Sequence, residues 1–345
     1  MKIAYIVPSL ANKGPIIVVK ELVEQMCMNN HDCVVFYFDN IIQLTFACPT
    51  KRISQNTPID FKTFNIVHSH GIRPDRFIYR FREYSGKVSY VSTVHNYVMQ
   101  DLYYQYNWIV AQLFGKLWMN WLKKHDKIVV LSQNAIEYYS KWLDINKLHY
   151  AYNTRTLDKL KGLTNDEMEE FLNFKGNNKI IGVNALLSRR KGIDIIIRAL
   201  QELNEYKLFI VGDGKSRKEL ELLARNMKVE QRCYFAGFKL DAYRYLPHYD
   251  IFAMPSRSEG FPLALLEAAI YSKPTVVSDI SVVKEIFNIE EISTFYLKNP
   301  RTIQSAILEA TDNQKMGEMM HLRYLQCYSP EEMYKKYISI YEQNQ

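Results

Sequence analysis

Two carboxylates, Glu259 and Glu267, are spaced E-x7-E in the segment PSRSEGFPLALLEAAIYSKPTVVSD, residues 255–279. Ionised carboxylates only accept hydrogen bonds, so they pair well with sugar hydroxyls, which can donate them. Between the two, Gly260, Phe261, Pro262 and Leu263 read as the start of a helix. Pro262 suits the first helical position, where its fixed φ fits and its missing N–H is not needed. Gly260 lets the backbone approach a ligand, and the N–H groups from Phe261 to Ala264 then form an anion site at the helix start. Glu259 falls in the loop and Glu267 about 1.5 turns inside the helix, so one carboxylate can reach each end of a bound molecule. The alternative is a capped, solvated helix whose carboxylates serve only its dipole.

Upstream, NALLSRRKGIDIIIRAL (184–200) carries three successive cations, Arg189, Arg190 and Lys191, before Gly192 opens an amphipathic helix. Cations on a flexible loop at the end of a strand suit a diphosphate; a solvated basic loop is the alternative. In IVGDGKS, Gly212 and Gly214 read as a tight turn from strand to helix. A phosphate-binding P-loop is excluded there, because its first glycine position holds Phe209. In the first half, the loop PSLANKGP (8–15) joins a strand to a helix, with Gly14 permitting close backbone approach and Pro15 suiting the first helical turn. It is equally a plain βα connection. His70 and His95 each end a strand, the place where α/β sites lie, though such histidines are often structural. There is no GxGxxG after the first strand, no D-x-D, no GxSxG and no HExxH. The dinucleotide fingerprint, the usual metal-carboxylate handle and two hydrolytic motifs are therefore missing.

These groups need a scaffold, and the apolar runs supply one. Strands are expected at residues 3–7, 33–38, 64–69, 88–94 and 127–132, and again at 179–184, 207–212, 232–237, 250–255 and 274–279. Helical spacing fills the gaps, at 193–203, 216–226, 262–270 and 282–287 among others. Alternation of this kind implies parallel sheets covered by helices, an α/β fold. The 345 residues suffice for two domains, and the polar stretch 161–178 reads as their junction. The expected domains are 1–160, taking back the final helix at 330–345, and 161–329. Two Rossmann-like halves facing each other would place a ligand cleft at the carboxyl ends of both sheets.

Hydrophobic residues make up 48% and charged residues 23%, an ordinary globular balance that rules out a disordered tail, a collagen rod and a disulfide scaffold. The net charge of +7 suits anionic partners, whether nucleotides, phospholipid heads or nucleic acid. Five cysteines, none at CxxC spacing, argue for free thiols in a reducing compartment. The first apolar run is too short, and too soon broken by Pro8, for a signal peptide. The stretch 97–125 is rich in aromatics and carries Lys116, Lys123 and Lys124. It is too short to span a bilayer, but an amphipathic helix there could place Trp118 and Trp121 at a membrane interface or pack them in the core.

The Glu259/Glu267 pair, the SRRKGID loop, IVGDGKSRKEL and the loop PSLANKGPIIVVKEL together resemble the family 4 retaining glycosyltransferases. The resemblance spans nearly the whole chain and is most specific over 250–285. It implies the two-domain GT-B fold, with the final helix returning to the first domain. It implies that Glu259 contacts the donor sugar, Glu267 the ribose, Lys191 the phosphates, and the helix start at Gly260 to Leu263 the sugar and diphosphate. His95 would lie beside the sugar as a hydrogen-bonding group, with Gly14 and Gly212 on the donor's path. The family's arginine five residues before the lysine is replaced here by Leu186, leaving Arg189 or Arg190 to supply the second charge; its Asn-Gly appears as Asn153-Thr154. The implied reaction moves a sugar from a nucleotide diphosphate sugar, UDP before GDP, to a hydroxyl of a lipid-linked surface glycan in a bacterium. No metal or other cofactor and no nucleic acid are expected; a cytoplasmic location, at the inner membrane surface, is. A GT-B nucleotide-sugar epimerase and a degenerate glycan-binding homologue are the rival readings.

Overall fold

The computed structural model describes every residue except Ser85, Pro300, Asn344 and Gln345. The last two fall within the range expected for the final helix and lie outside the described residues. The chain forms two compact units, Met1–Thr156 together with the chain from Tyr328 onward, and Leu157–Cys327. The crossing between units thus falls after Thr156, a few residues before the expected boundary at 160.

The first unit runs β1 (Lys2–Val7), α1 (Gly14–Met28), β2 (Asp32–Tyr37), β3 (Thr50–Arg52), β4 (Ile66–His70), α2 (Ile72–Phe81), β5 (Ser89–Val94), α3 (Val98–Gln105), α4 (Trp108–Leu122), β6 (Lys127–Val130), α5 (Gln133–Ser140) and β7 (Leu148–Tyr150). Its sheet is parallel throughout, in the order β3-β2-β1-β4-β5-β6-β7. The near-continuous apolar run of β1 follows from burial on both faces, from Ile3 to Val7. The strands β3 and β7, sequences TKR and LHY, carry no apolar period and escape sequence reading.

The second unit opens on α6 (Asn165–Lys175), whose start is a capping box: Thr164 accepts from the Glu167 amide and Glu167 accepts from the Thr164 amide. Then come β8 (Lys179–Asn184), α7 (Ile193–Ala199), β9 (Tyr206–Val211), α8 (Arg217–Asn226), β10 (Cys233–Gly237), β11 (Ile251–Met254), α9 (Leu263–Ile270), β12 (Thr275–Ser278), α10 (Ser281–Ile286), β13 (Ser293–Phe295), α11 (Thr302–Asp312) and α12 (Lys315–Cys327). The parallel order is β10-β9-β8-β11-β12-β13. The helix expected at 193–203 ends at Ala199 and tightens into a 3₁₀ turn over Leu200–Glu202.

The final helix, α13 (Pro330–Glu342), belongs to the first unit. Ser329 caps it, and it buries Met333, Tyr337, Ile340 and Tyr341. Its last carbonyls find a cation from the sheet: Lys127 Nζ donates to Ile340 O at 2.6 Å and to Tyr341 O at 3.2 Å. No helix among the described residues is long and apolar enough to cross a membrane.

Candidate active site

In each sheet the strand order reverses once, between β1 and β4 and between β8 and β11. The crevice outside the carboxyl ends of such a strand pair is where open α/β sheets bind ligands. In the second unit β8 feeds the loop with Arg189, Arg190 and Lys191, and β11 feeds the loop with Glu259. The two loops that the sequence marks as chemical therefore flank one switch point.

There Lys191 Nζ lies 2.5 Å from Glu259 Oε1, and Arg190 Nη1 lies 3.0 Å from Glu259 Oε2. Ser256 Oγ adds a hydrogen bond to Oε1 at 2.6 Å, and Arg190 also donates to the Ser258 carbonyl. Burial alone would raise the Glu259 carboxyl, but Lys191 and Arg190 outweigh it and hold it at about 2. Of the two arginines before Lys191, Arg190 reaches this carboxylate, while Arg189 is exposed and makes no ion pair among the described residues. Leu186 points its side chain to water.

The supporting contacts lie beyond what sequence reading finds. Arg257 forks onto Asp194 at 2.8 and 2.7 Å and donates to the Arg189 carbonyl, while its amide donates to the Arg190 carbonyl. These bonds staple the cationic loop to the Glu259 loop. Gly192 is required where they touch: its φ is +67°, and a Cβ would stand 2.0 Å from the Pro255 carbonyl oxygen. Gly212 serves the same packing, since a Cβ there would meet the Ala185 carbonyl at 1.9 Å.

Helix α9 starts at Leu263, with Pro262 as the N-cap instead of the first helical residue. The φ of −82° and ψ of 100° put Pro262 in extended backbone, and its carbonyl accepts from the Leu265 amide. Gly260, Phe261 and Pro262 are buried, with Leu263 and Glu267 half-buried behind them. Glu267 is the fifth residue of the helix, a little over one turn in.

In the first unit, residues 8–13 follow β1 and are tied to the next loop by Leu10, whose amide donates to Ile41 and whose carbonyl accepts from Gln43 and Leu44. Gly14 and Pro15 open α1. His70 ends β4 and His95 follows β5, and they meet: His70 Nδ1 is 3.0 Å from His95 Nε2. Burial lowers His95 to about 4 and, aided by the neighbouring rings, holds His70 well below the usual imidazole range. Beside them His68 bonds Tyr341 at 2.7 Å and Thr93 at 2.8 Å. Asn153 and Thr154 are buried just before the chain leaves this unit, with Asn153 Oδ1 and Thr154 Oγ1 lacking protein partners.

The aromatic stretch 97–125 forms α3 and α4, broken where Asn107 caps the Val110 amide. Of the two placements left open for Trp118 and Trp121, the structure favours packing within the unit. Trp118 donates its indole N–H to the buried Asp75 at 2.7 Å, and Trp121 is half-buried under Arg76. The exposed apolar face is instead Trp108, Ile109, Leu113, Phe114 and Leu117, with Lys116, Lys123 and Lys124 also in water.

The family model described as glycosyl transferases group 1 matches residues 164–322. The chain is 33% identical to the O-antigen biosynthesis glycosyltransferase WclY of Escherichia coli, over 99% of this chain and 98% of that one. It is 26% identical, over 63% of its length and 58% of the relative's, to the Escherichia coli UDP-Gal:alpha-D-GlcNAc-diphosphoundecaprenol alpha-1,3-galactosyltransferase. Anabaena HepE, solved in complex with UDP-glucose, superimposes with a TM-score of 0.78 at 16% identity, covering 99% of both chains. At that identity the likeness is one of fold. Two parallel-sheet Rossmann-like units make this the GT-B architecture.

Proposed function

The chain belongs to the group 1 glycosyltransferases, and from that premise we propose that it transfers a sugar from a UDP-sugar, with retention, to a hydroxyl of a lipid-linked glycan in O-antigen-type polysaccharide assembly. The observation that carries this reading is the cluster of Lys191, Arg190 and Glu259 at the switch point of the second sheet. Lys191 and Arg190 bring two cations to one carboxylate, and a diphosphate would compete with that carboxylate for them. Binding of the diphosphate draws Lys191 and Arg190 away from Glu259 and frees its oxygens for hydroxyls of the sugar.

In this scheme the cations and the N–H groups at the start of α9 stabilise the charge that builds on the departing diphosphate. That neutralisation requires no metal. The sugar passes through an oxocarbenium-like state. The leaving phosphate oxygen takes the acceptor's proton on the same face, so the configuration is kept. Glu267 is assigned to the ribose and His95 to a hydrogen bond with the sugar. The WclY and galactosyltransferase relatives support the O-antigen setting and the diphospholipid acceptor. Attachment to the cytoplasmic membrane surface is assigned to the exposed face of α4, with its neighbouring lysines on anionic lipid heads.

Calorimetry with UDP-, GDP- and ADP-sugars tests the donor, with product analysis beside it. Binding of a UDP-sugar with transfer or slow hydrolysis is the expected result. An epimerised nucleotide sugar from donor alone would make the protein an epimerase, and no nucleotide binding at all would make it a glycan-binding homologue.

A further inference from the structure

Two histidines share one proton in the first unit, and where that proton sits has a consequence for the candidate site. Strands β4 and β5 are neighbours, so His70 and His95 stand together at the carboxyl edge of the sheet. A contact of 3.0 Å between His70 Nδ1 and His95 Nε2 needs one N–H and one bare nitrogen. Burial keeps both rings neutral.

Two arrangements satisfy the contact. If His95 donates from Nε2, His70 must carry its own proton on Nε2. That nitrogen is buried and has no protein partner. The His68 ring, 4.1 Å from that of His70 between centroids, has Nδ1 engaged with Tyr341 and Nε2 with Thr93, and the Tyr5 ring stands farther away. If instead His70 donates from Nδ1, its Nε2 holds only a lone pair. Buried N–H groups without an acceptor are rarer than acceptors left unused, because the donor loses more on leaving water. The second arrangement is therefore favoured. It leaves His95 with Nε2 accepting and its proton on Nδ1. His95 is also the more open ring of the pair, 9% exposed against 1% for His70.

We infer that His70 is a positioning residue that fixes His95 as the Nδ1–H tautomer, so that His95 meets its ligand as a hydrogen-bond donor to a sugar oxygen. The ligand in this inference rests on the proposed function; the tautomer rests on the contact and on the burial of both rings. A ring held this way offers a proton and no lone pair, so it orients an oxygen and does not serve as a general base.

The test is ¹⁵N NMR of the full chain with labelled histidine, at neutral pH, beside steady-state transfer kinetics. Wild type is expected to show His95 with a protonated Nδ1 and a bare Nε2. His70→Leu removes the donor, and His95 should then drift toward the Nε2–H form while kcat falls about tenfold to hundredfold, the scale on which ligand histidines suffer when they lose an orienting partner. His70→Asn carries an N–H where Nδ1 stood. It should restore the tautomer and recover part of the lost rate. An Nε2–H signal for His95 in wild type, or an unchanged tautomer in His70→Leu, overturns the inference. If the tautomer behaves as expected but neither His70→Leu nor His95→Ala changes kcat, the His70–His95 pairing stands and the placement of His95 at the sugar falls. Should His70→Leu not fold, the wild-type spectrum and the Asn variant still decide the matter.

Discussion

Each unit holds a cluster of polar side chains, and the two clusters solve the cost of burial in opposite ways. The second unit keeps charge: Glu259 is ionised, paired to Lys191 and Arg190, whose own side chains stay 19% exposed. The cluster of the first unit discards charge: His68, His70, Thr93, Tyr5, Tyr337 and Tyr341 are buried and linked as neutral hydrogen-bonding groups. A buried charge without a partner is far more expensive than a buried neutral group with one. The first arrangement can go deep, while the second must stay near water and can exchange its partner. An exchangeable positive cluster suits a diphosphate, and a fixed neutral one suits an uncharged sugar.

The largest effect expected from this contrast is on the charged side. Lys191→Ala should lower kcat by about 10²–10³-fold, the scale of losing one group that stabilises developing charge. The melting temperature should change little, since Arg190 and Ser256 still hold Glu259. Arg190→Ala tests whether this arginine carries the second charge; Arg189→Ala should be mild by comparison. Wild-type turnover in the Lys191 variant would remove the charged cluster from the reaction.

Acid separates the two clusters by pH window. His95 is depressed to about 4, so between the ordinary histidine value and that point the unfolded chain binds a proton that the folded chain does not. Stability is then full above about 6.5 and is lost as the pH falls toward 4, by roughly 3 kcal/mol for this ring alone. His68, His70 and His125 are lowered too and act in the same direction; Asp75, raised by burial, opposes them. Glu259 is depressed to about 2, so its contribution is full above the ordinary glutamate value and lost only below it. All four tryptophans, at 108, 118, 121 and 142, lie in the first unit. Tryptophan fluorescence should therefore change at higher pH than the last loss of far-UV circular dichroism. Glu259→Gln should flatten only the lower window. Coincident transitions of both signals below pH ~4 would break the comparison.

Much of this was legible in the linear sequence, and what was not shares a cause. Apolar runs such as KIIGVN gave their strand directly, whereas STF in β13 has too few residues for any period to show. Lys191 and Glu259 carried signals of type and spacing. That Arg190 and not Arg189 turns to Glu259 depends on one 3₁₀ turn, Arg189–Lys191, and on the 255–259 loop that receives it. The Arg257–Asp194 fork joins residues that no local pattern relates. His70 and His95 were each visible as strand ends, but their contact needs β4 and β5 to be neighbours. For Trp118 and Trp121 the sequence left membrane interface and core packing open, and only the contacts with Asp75 and Arg76 choose between them.

The two glutamates sharpen the charged side further. Glu267→Ala should weaken binding of bare UDP by about 1.5–3 kcal/mol, as a charge-assisted hydrogen bond to ribose is lost. Glu259→Gln should act the other way on the same ligand. It releases Lys191 and Arg190 from their carboxylate, so UDP should bind as tightly as in wild type or more tightly, while transfer falls. Calorimetry with UDP alone separates them. Equal losses in both variants would mean that Glu259 does not compete with the diphosphate.

The smallest effect belongs to the surface of the first unit, where α4 has one face in the neutral core and one in water. Leu113 and Trp108 are 66% and 64% exposed, with Ile109, Phe114 and Leu117 beside them. If this face meets a membrane, the full chain should bind anionic vesicles and release them as salt rises. Charge reversal at Lys123 and Lys124 should cost about 1 kcal/mol per cation near the lipid surface. Leu113→Gln with Phe114→Gln should lower vesicle binding as well, and neither pair should shift the melting temperature, because these side chains already contact water. Trp118→Phe is the control from the other face. It leaves Asp75 short of one donor, although Ser69 and Ser92 remain, and should destabilise the fold by ~1–3 kcal/mol without altering vesicle binding. Absence of vesicle binding by the wild-type chain at low salt would sink the membrane assignment. Loss of vesicle binding in Trp118→Phe with an unchanged melting temperature would instead return that tryptophan to the interface.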